Sequence, residues 1–153
     1  MTNKIIRPGV LIVKNNKILV LSSKYTSGEF YLLPGGGIES DETITECAIR
    51  ETKEETNYDI KIVKLLYIQE WIDTSRDKNV VDMTFLAKIL DGEETHLNDP
   101  CLEKGHIKCI EWKTVDELRQ GKFFPKGVLE VVEKDMAENF PREGIYLPPD
   151  LNR

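Results

Sequence analysis

The chain has little with which to cross-link itself. Its three cysteines, Cys47, Cys101 and Cys109, are too few and too irregularly spaced for a disulfide framework, so a reducing, cytoplasmic setting is expected. Cys101, His106 and Cys109 lie near one another, but three candidate ligands at this spacing match no common zinc pattern, and they are read as strand and loop residues. No apolar run approaches the length of a signal h-region or a membrane span, which argues against a membrane partner. Basic residues are also in short supply. The formal net charge is −6, which disfavours binding to a nucleic-acid backbone, where clustered Lys and Arg neutralise phosphates. Repeats and low-complexity linkers are absent. With 153 residues, 40% of them hydrophobic, the chain is read as a single domain over residues 1–153 with a substantial core.

What is present begins with strands. "RPGVLIVKNNKILVLSS" holds two β-branched, apolar runs joined at Asn15-Asn16, residues that tolerate the positive φ of a tight hairpin. "EFYLLPGGGIES" gives a short strand that stops at Pro34 and enters the glycines Gly35, Gly36 and Gly37. A helix is expected from about residue 41 to 56, capped by Ser40 or Asp41 and ended by Asn57 in the left-handed conformation. "DIKIVKLLYIQEW", "NVVDMTFLAKIL" and "HIKCIEW" read as further strands. "TVDELRQ" and "PKGVLEVVEKDMAENF" supply helical patterns, the second stopped at Pro141. The remainder, about 141–153, has no regular period and is expected to be an irregular tail. Connections too short for serial crossovers throughout point to the α/β class, a mixed β-sheet between helices in an α/β/α sandwich.

The negative charge is concentrated. From Glu39 to Glu55 there are seven acids against Arg50 and Lys53. On the helix of this segment the apolar stripe of Ile44, Cys47 and Ala48 continues into Glu51 and Glu55, so the inward face turns acidic. Partly buried carboxylates repel one another and resist desolvation, and a divalent cation relieves both. Hard oxygen ligands suit Mg²⁺ or Mn²⁺. The glycine run just upstream exposes backbone where a di- or polyphosphate can approach. Metal-assisted hydrolysis of a phosphoanhydride is the reaction class this combination suggests. Tyr31 and Leu33, immediately before the glycines, are candidates to meet a nucleoside or other head group, and Lys24 and Arg7 are candidate phosphate contacts. Trp71, Phe85 and Trp112 are read as core.

Gly36, Glu42, Arg50, Glu51, Glu54 and Glu55 stand at the spacing G-x5-E-x7-R-E-U-x-E-E-x-G-U, where U is apolar, and the segment from Gly36 to Tyr58 resembles the Nudix box. Thr52 and Asn57 depart from the apolar residue and the glycine of that pattern, and Tyr58 is aromatic where an aliphatic is usual. The resemblance implies the Nudix fold and a pyrophosphohydrolase acting on a nucleoside triphosphate, ADP-ribose or a sugar nucleotide, a small-molecule nucleotide in each case. It further implies divalent-ion binding by Glu51, Glu54 and Glu55 with a carbonyl of Gly35 or Gly36, and orientation of a glutamate by Arg50. Glu42 would support the constellation, and Gly36 and Gly37 would face the phosphates. An additional loop carboxylate is expected, with Glu103 favoured and Glu93, Glu94 and Glu111 competing. Many members of the family are dimers, so a homodimer is an expectation of the same kind. Thr74 stands where many ADP-ribose hydrolases carry a proline, and no tyrosine marks a dinucleoside polyphosphate hydrolase. A nucleotide-sensing module without turnover and an RNA cap hydrolase are the alternatives.

Overall fold

The computed structural model describes residues 3–25, 28–92 and 109–152, except for the side chains of residues 24 and 25. The first hairpin forms as its asparagines require. β1 (Ile5–Leu11), β2 (Val13–Lys14) and β3 (Lys17–Tyr25) follow in order, with Asn15 and Asn16 at φ 51° and 60°, the left-handed pair of a type I′ turn. β4 (Gly28–Leu32) returns antiparallel to β3. After α1 (Ile44–Thr56) come the long antiparallel strands β5 (Asp59–Asp73) and β6 (Lys78–Asp91), joined by a 3₁₀ turn over Thr74–Arg76. The chain is completed by β7 (Cys109–Lys113), α2 (Val115–Leu118), β8 (Lys122–Phe124), α3 (Val128–Ala137), β9 (Ile145–Tyr146) and β10 (Asp150–Asn152).

The strands form two curled, mixed sheets. One runs β1-β6-β5-β10 with β9 also on β5; the other runs β2-β3-β4-β8 with β7 on β3. Alternation along the strands divides the apolar residues between two cores. Val10, Ile12, Leu19 and Leu21 pack with Ala48 of α1, whereas Leu11, Ile18 and Val20 pack with Val115, Leu118, Val128 and Val132 of α2 and α3. Sheets with helices on both faces are the α/β/α sandwich expected from the sequence.

Four local features differ from the sequence reading. α1 starts at Ile44, because Thr43 and Glu46 form a reciprocal capping box that outcompetes Ser40 and Asp41. The segment after residue 141 is ordered: β9 and β10 extend the sheet in parallel with β5, and Gly144 and Leu147 donate to the carbonyls of Leu65 and Ile68. Strands of two and three residues carry no readable period; the open edge of β5 selects them. β8 is likewise too short to show and interrupts a stretch that reads as an approach to α3. Cys109 is disulfide-bonded, where the cysteine spacing suggests no disulfide framework, while Cys47 is a free, buried thiol.

Candidate active site

Glycine places the loop before α1 against β1. Gly36 and Ile38 donate to the carbonyls of Pro8 and Ile6 at 3.2 and 3.1 Å, and Gly9 bridges Gly35. A Cβ on Gly35 would lie 2.4 Å from the Pro8 carbonyl oxygen, and one on Gly36 would lie 2.4 Å from the Glu51 carboxyl carbon. The bare Cα of Gly36 is therefore the surface on which the Glu51 carboxylate rests. Gly37, by contrast, has room for a side chain: among the described residues, Ile5 at 3.9 Å is the neighbour its Cβ would meet.

α1 carries its three glutamates at graded depth. Cys47 and Ala48 are fully buried, Glu51 and Glu55 are half-buried, and Glu54 is exposed. The departures from the box pattern are accommodated locally. The Thr52 hydroxyl donates to the Ala48 carbonyl at 2.7 Å, and Asn57 takes φ 64° and returns its N–H to the Lys53 carbonyl, so it ends the helix as a glycine would. Tyr58 is buried in the core beside α1.

Arg50 organises the acids around it. Its Nε and Nη2 donate to the two oxygens of Glu42 at 2.9 and 2.8 Å, a bidentate fork. Its Nη1 reaches Glu51 at 3.0 Å and Glu54 at 3.3 Å. The Arg50 fork on Glu42, followed by a bond from the Glu39 N–H, holds the Glu42 carboxyl down at about 2. The Glu42 bonds in turn raise the Arg50 guanidinium above its ordinary value. Burial, with Glu42 adding to it, pushes the Cys47 thiol up to about 12, so Cys47 is packing and not a nucleophile. Glu55 accepts from the Gly35 N–H at 2.8 Å. With Glu51 and Glu54 turned to Arg50 and Glu55 to the loop, no three acids, cysteines or histidines among the described residues converge on one point.

Beside this cluster, where the two sheets part, a cleft of about 770 Å³ opens, walled by Phe30, Leu32, Trp71 and Phe124. The Phe30 and Phe124 rings lie parallel with centroids 6.3 Å apart, and Trp71 meets Phe124 at the same separation. Lys122 and Lys126 sit over Phe30 and Phe124. Arg7 joins cleft to cluster: Nη2 donates to the Gly35 carbonyl at 3.4 Å and Nη1 pairs with Asp82 at 3.5 Å. Burial raises the Asp82 carboxyl even though Arg7 opposes the shift. Gln69 closes the floor, accepting from the Gly127 N–H at 3.0 Å and donating to the Pro148 carbonyl at 2.8 Å.

The structure thus brings together Gly35, Gly36, Glu42, Arg50, Glu51, Glu54, Glu55 and Arg7. Two expected contacts are displaced. Tyr31 and Leu33 are 3% and 1% exposed in the core beneath α2 and α3, because alternation along β4 sends Phe30 and Leu32, not their neighbours, to the cleft. Trp71, read as core, lines the cleft instead, while Phe85 is core as expected. Glu111 pairs with Val20 on β3 and forms an ion pair with Lys113 at 3.6 Å on the face turned to α2 and α3, away from α1, so it cannot supply the additional carboxylate. Glu93, Glu94, Glu103 and the Lys24 side chain lie outside the described residues. Sequence reading missed Phe124, Lys126, Gln69 and Asp82, which come from distant segments with no shared motif. The Phe-Pro pair at 124–125 was the available signal of a break before α3.

A family model described as NUDIX domain matches residues 5–140. An ADP-ribose pyrophosphatase of Methanocaldococcus jannaschii is 34% identical over 84 residues, which are 54% of this chain and 50% of that protein. An 8-oxo-dGTP diphosphatase of Proteus vulgaris is 29% identical over 69% of this chain and 93% of its own. Among solved structures, a hydrolase from Nitrosomonas europaea superposes with a TM-score of 0.70 at 22% identity, covering 89% of this chain and 90% of that one. The chain thus matches about half the length of the archaeal relative and nearly all of the bacterial fold.

Proposed function

The chain belongs to the Nudix family, and from that premise we propose that it hydrolyses a phosphoanhydride bond in a nucleoside diphosphate linked to another moiety. The observation that carries this reading is the contact of the Glu51 carboxylate with the bare Cα of Gly36, beside an aromatic cleft that Arg7 ties to the same loop. The named substrates of the two relatives, ADP-ribose and 8-oxo-dGTP, belong to the proposed class.

Family membership implies a divalent cation, and the oxygen donors of this cluster have the chemistry for one, although among the described residues they do not converge on one point. The Glu51 carboxylate rests over Gly36 only because a Cβ is lacking, and the carboxylates and the Gly35 carbonyl are hard oxygens, which suits Mg²⁺ or Mn²⁺. Glu51, Glu54 and Glu55 would hold it, with the Gly35 carbonyl as a further ligand. Bound there, the cation supplies charge neutralisation for the diphosphate and acidifies water. The protein does the positioning. Glu42 fixes Arg50 by two hydrogen bonds, Arg50 fixes Glu51, and the Gly35 N–H fixes Glu55, so the carboxylates are oriented before substrate arrives. The cleft stacks a planar ring on Trp71 and Phe124, Arg7 neutralises phosphate oxygens, and a glutamate of the box accepts the proton of the attacking water. Glu103 is the proposed additional carboxylate. The product pair is a nucleoside monophosphate and the phosphorylated remainder.

Product release from a panel of nucleoside triphosphates, ADP-ribose, sugar nucleotides and capped nucleotide, with Mg²⁺, with Mn²⁺ and with chelator, tests the proposal. Chelator-sensitive turnover of one class is the expected result. Silence across the panel with Mn²⁺ binding intact would mark a nucleotide-sensing module.

A further inference from the structure

Resting on that reading, we propose that Asp82 selects ribonucleotides by accepting hydrogen bonds from the 2′- and 3′-hydroxyls of the substrate ribose. The inference comes from the register of the sheet that floors the cleft. Arg7 on β1 is paired with Asp82 on β6, and Asp82 with Gln69 on β5, which makes one row across the sheet. The neighbouring row places Val80 beside Trp71 and Trp71 beside Asp150. Adjacent strands are about 4.8 Å apart, so these rows act as a ruler from the loop of Gly35 towards the far mouth of the cleft.

Arg7 marks the phosphate end of that ruler, since its guanidinium touches the Gly35 carbonyl in the loop that carries the Glu55 contact. Trp71 marks the ring end, two strands further on, roughly 10 Å away, and Phe124 meets it from the other sheet. Asp82 lies between the two ends. A nucleoside diphosphate has the same order of parts, phosphates, then sugar, then ring, with the sugar one strand spacing from each neighbour. The group set down beside Asp82 is therefore the sugar.

The chemistry at that position fits a vicinal diol. Asp82 is 9% exposed and lines the cleft. Among the described residues its partner is Arg7, at 3.5 Å, longer than an ordinary charged hydrogen bond. An ionised carboxylate is acceptor-only, with lone pairs to spare beyond one such contact, and two adjacent hydroxyls offer two donors. Gln69, next in the row, is held at both ends of its amide by Gly127 and Pro148, and its neutral oxygen is a weaker acceptor than the Asp82 carboxylate. A 2′-deoxy sugar removes one donor and leaves a buried acceptor unpaired, the situation in which sites discriminate best.

The test compares kcat/KM for pairs that differ only at the 2′ position, ATP with dATP, GTP with dGTP and UDP-glucose with its deoxyuridine counterpart. The parent is measured beside Asp82→Ala and the near-isosteric Asp82→Asn, with thermal melting as the check on folding. The expected result is a ribo preference of about 10-fold or more in the parent, lost in Asp82→Ala and partly kept in Asp82→Asn. Asp82→Asn also keeps the measurement informative if the alanine variant does not fold. Equal use of both sugars by the parent, or an unchanged ratio in the variants, would overturn the proposal and leave Asp82 as a counter-ion for Arg7. If no nucleotide is turned over, equilibrium binding of ADP and dADP in chelator reads the same preference. Equal affinities there overturn the role of Asp82, whereas a preference that tracks Asp82 sustains it and places the fault with the hydrolase reading.

Discussion

The acidic cluster on α1 and the aromatic cleft between the sheets lie side by side yet are built in opposite ways. The cluster comes from one short stretch of chain, Gly35 to Glu55, and is polar, hydrogen-bonded throughout and fixed by Arg50. The cleft takes side chains from β1, β4, β5, β6, β8 and the tail and holds aromatic faces with long ion pairs, Arg7–Asp82 and Lys126–Asp150. The first arrangement suits chemistry, in which small displacements of a carboxylate matter; the second suits recognition, in which a ring needs a surface and a few directional groups. The difference teaches that a site can carry its reaction in a local motif and its selectivity in tertiary register.

Substitutions can break that division. A large effect on turnover is expected from Gly36→Ala, whose Cβ would stand 2.4 Å from the Glu51 carboxyl carbon. Displacing that carboxylate by about 1 Å should lower kcat roughly 10²-fold with little change in KM, as steady-state kinetics would show. Trp71→Ala should do the reverse, raising KM on the order of 10-fold through lost stacking worth about 1–3 kcal/mol while kcat holds. A kcat loss in Trp71→Ala as large as that in Gly36→Ala would erase the distinction between the regions.

Stability sharpens the comparison further. Gln69→Leu strands the Gly127 N–H and the Pro148 carbonyl under the cleft, and denaturant unfolding should show a loss of about 1–3 kcal/mol. The smallest effect concerns Glu42. Its carboxyl is held below the ordinary value of 4.5, at about 2, chiefly by Arg50. A depressed carboxylate contributes stability that is fully present above its unfolded-state value and is lost as pH falls through the folded one. Thermal melting should therefore fall between pH 4.5 and 2, less steeply in Glu42→Gln, and an unchanged slope would deny the Arg50 fork its role.

The same contrast explains what could be read from the sequence. Glu51 and Glu55 extend the stripe of Ile44, Cys47 and Ala48, and helical periodicity alone puts them on the inward face where the structure finds them. Asn15-Asn16 and Asn57 announce their left-handed turns by residue type. Phe30 and Tyr31 could not be told apart, because both are apolar neighbours on a strand and only the position of the second sheet decides which one meets the cleft. Phe124 and the strands at 145–146 and 150–152 were hidden for a related reason: pairing partners far away in sequence, not local propensity, hold them in place.

Turnover by Glu54→Gln and Glu55→Gln beside the parent, on the substrate that the panel identifies and at saturating divalent cation, tests the central claim most directly. Each change keeps the size of the side chain and removes one negative charge from a cluster that balances cations. The account predicts a fall in kcat on the order of 10²–10³-fold with melting temperature and KM close to the parent's. Parental kcat in either variant would contradict the assignment of that glutamate to the catalytic cluster, and in both it would contradict the account.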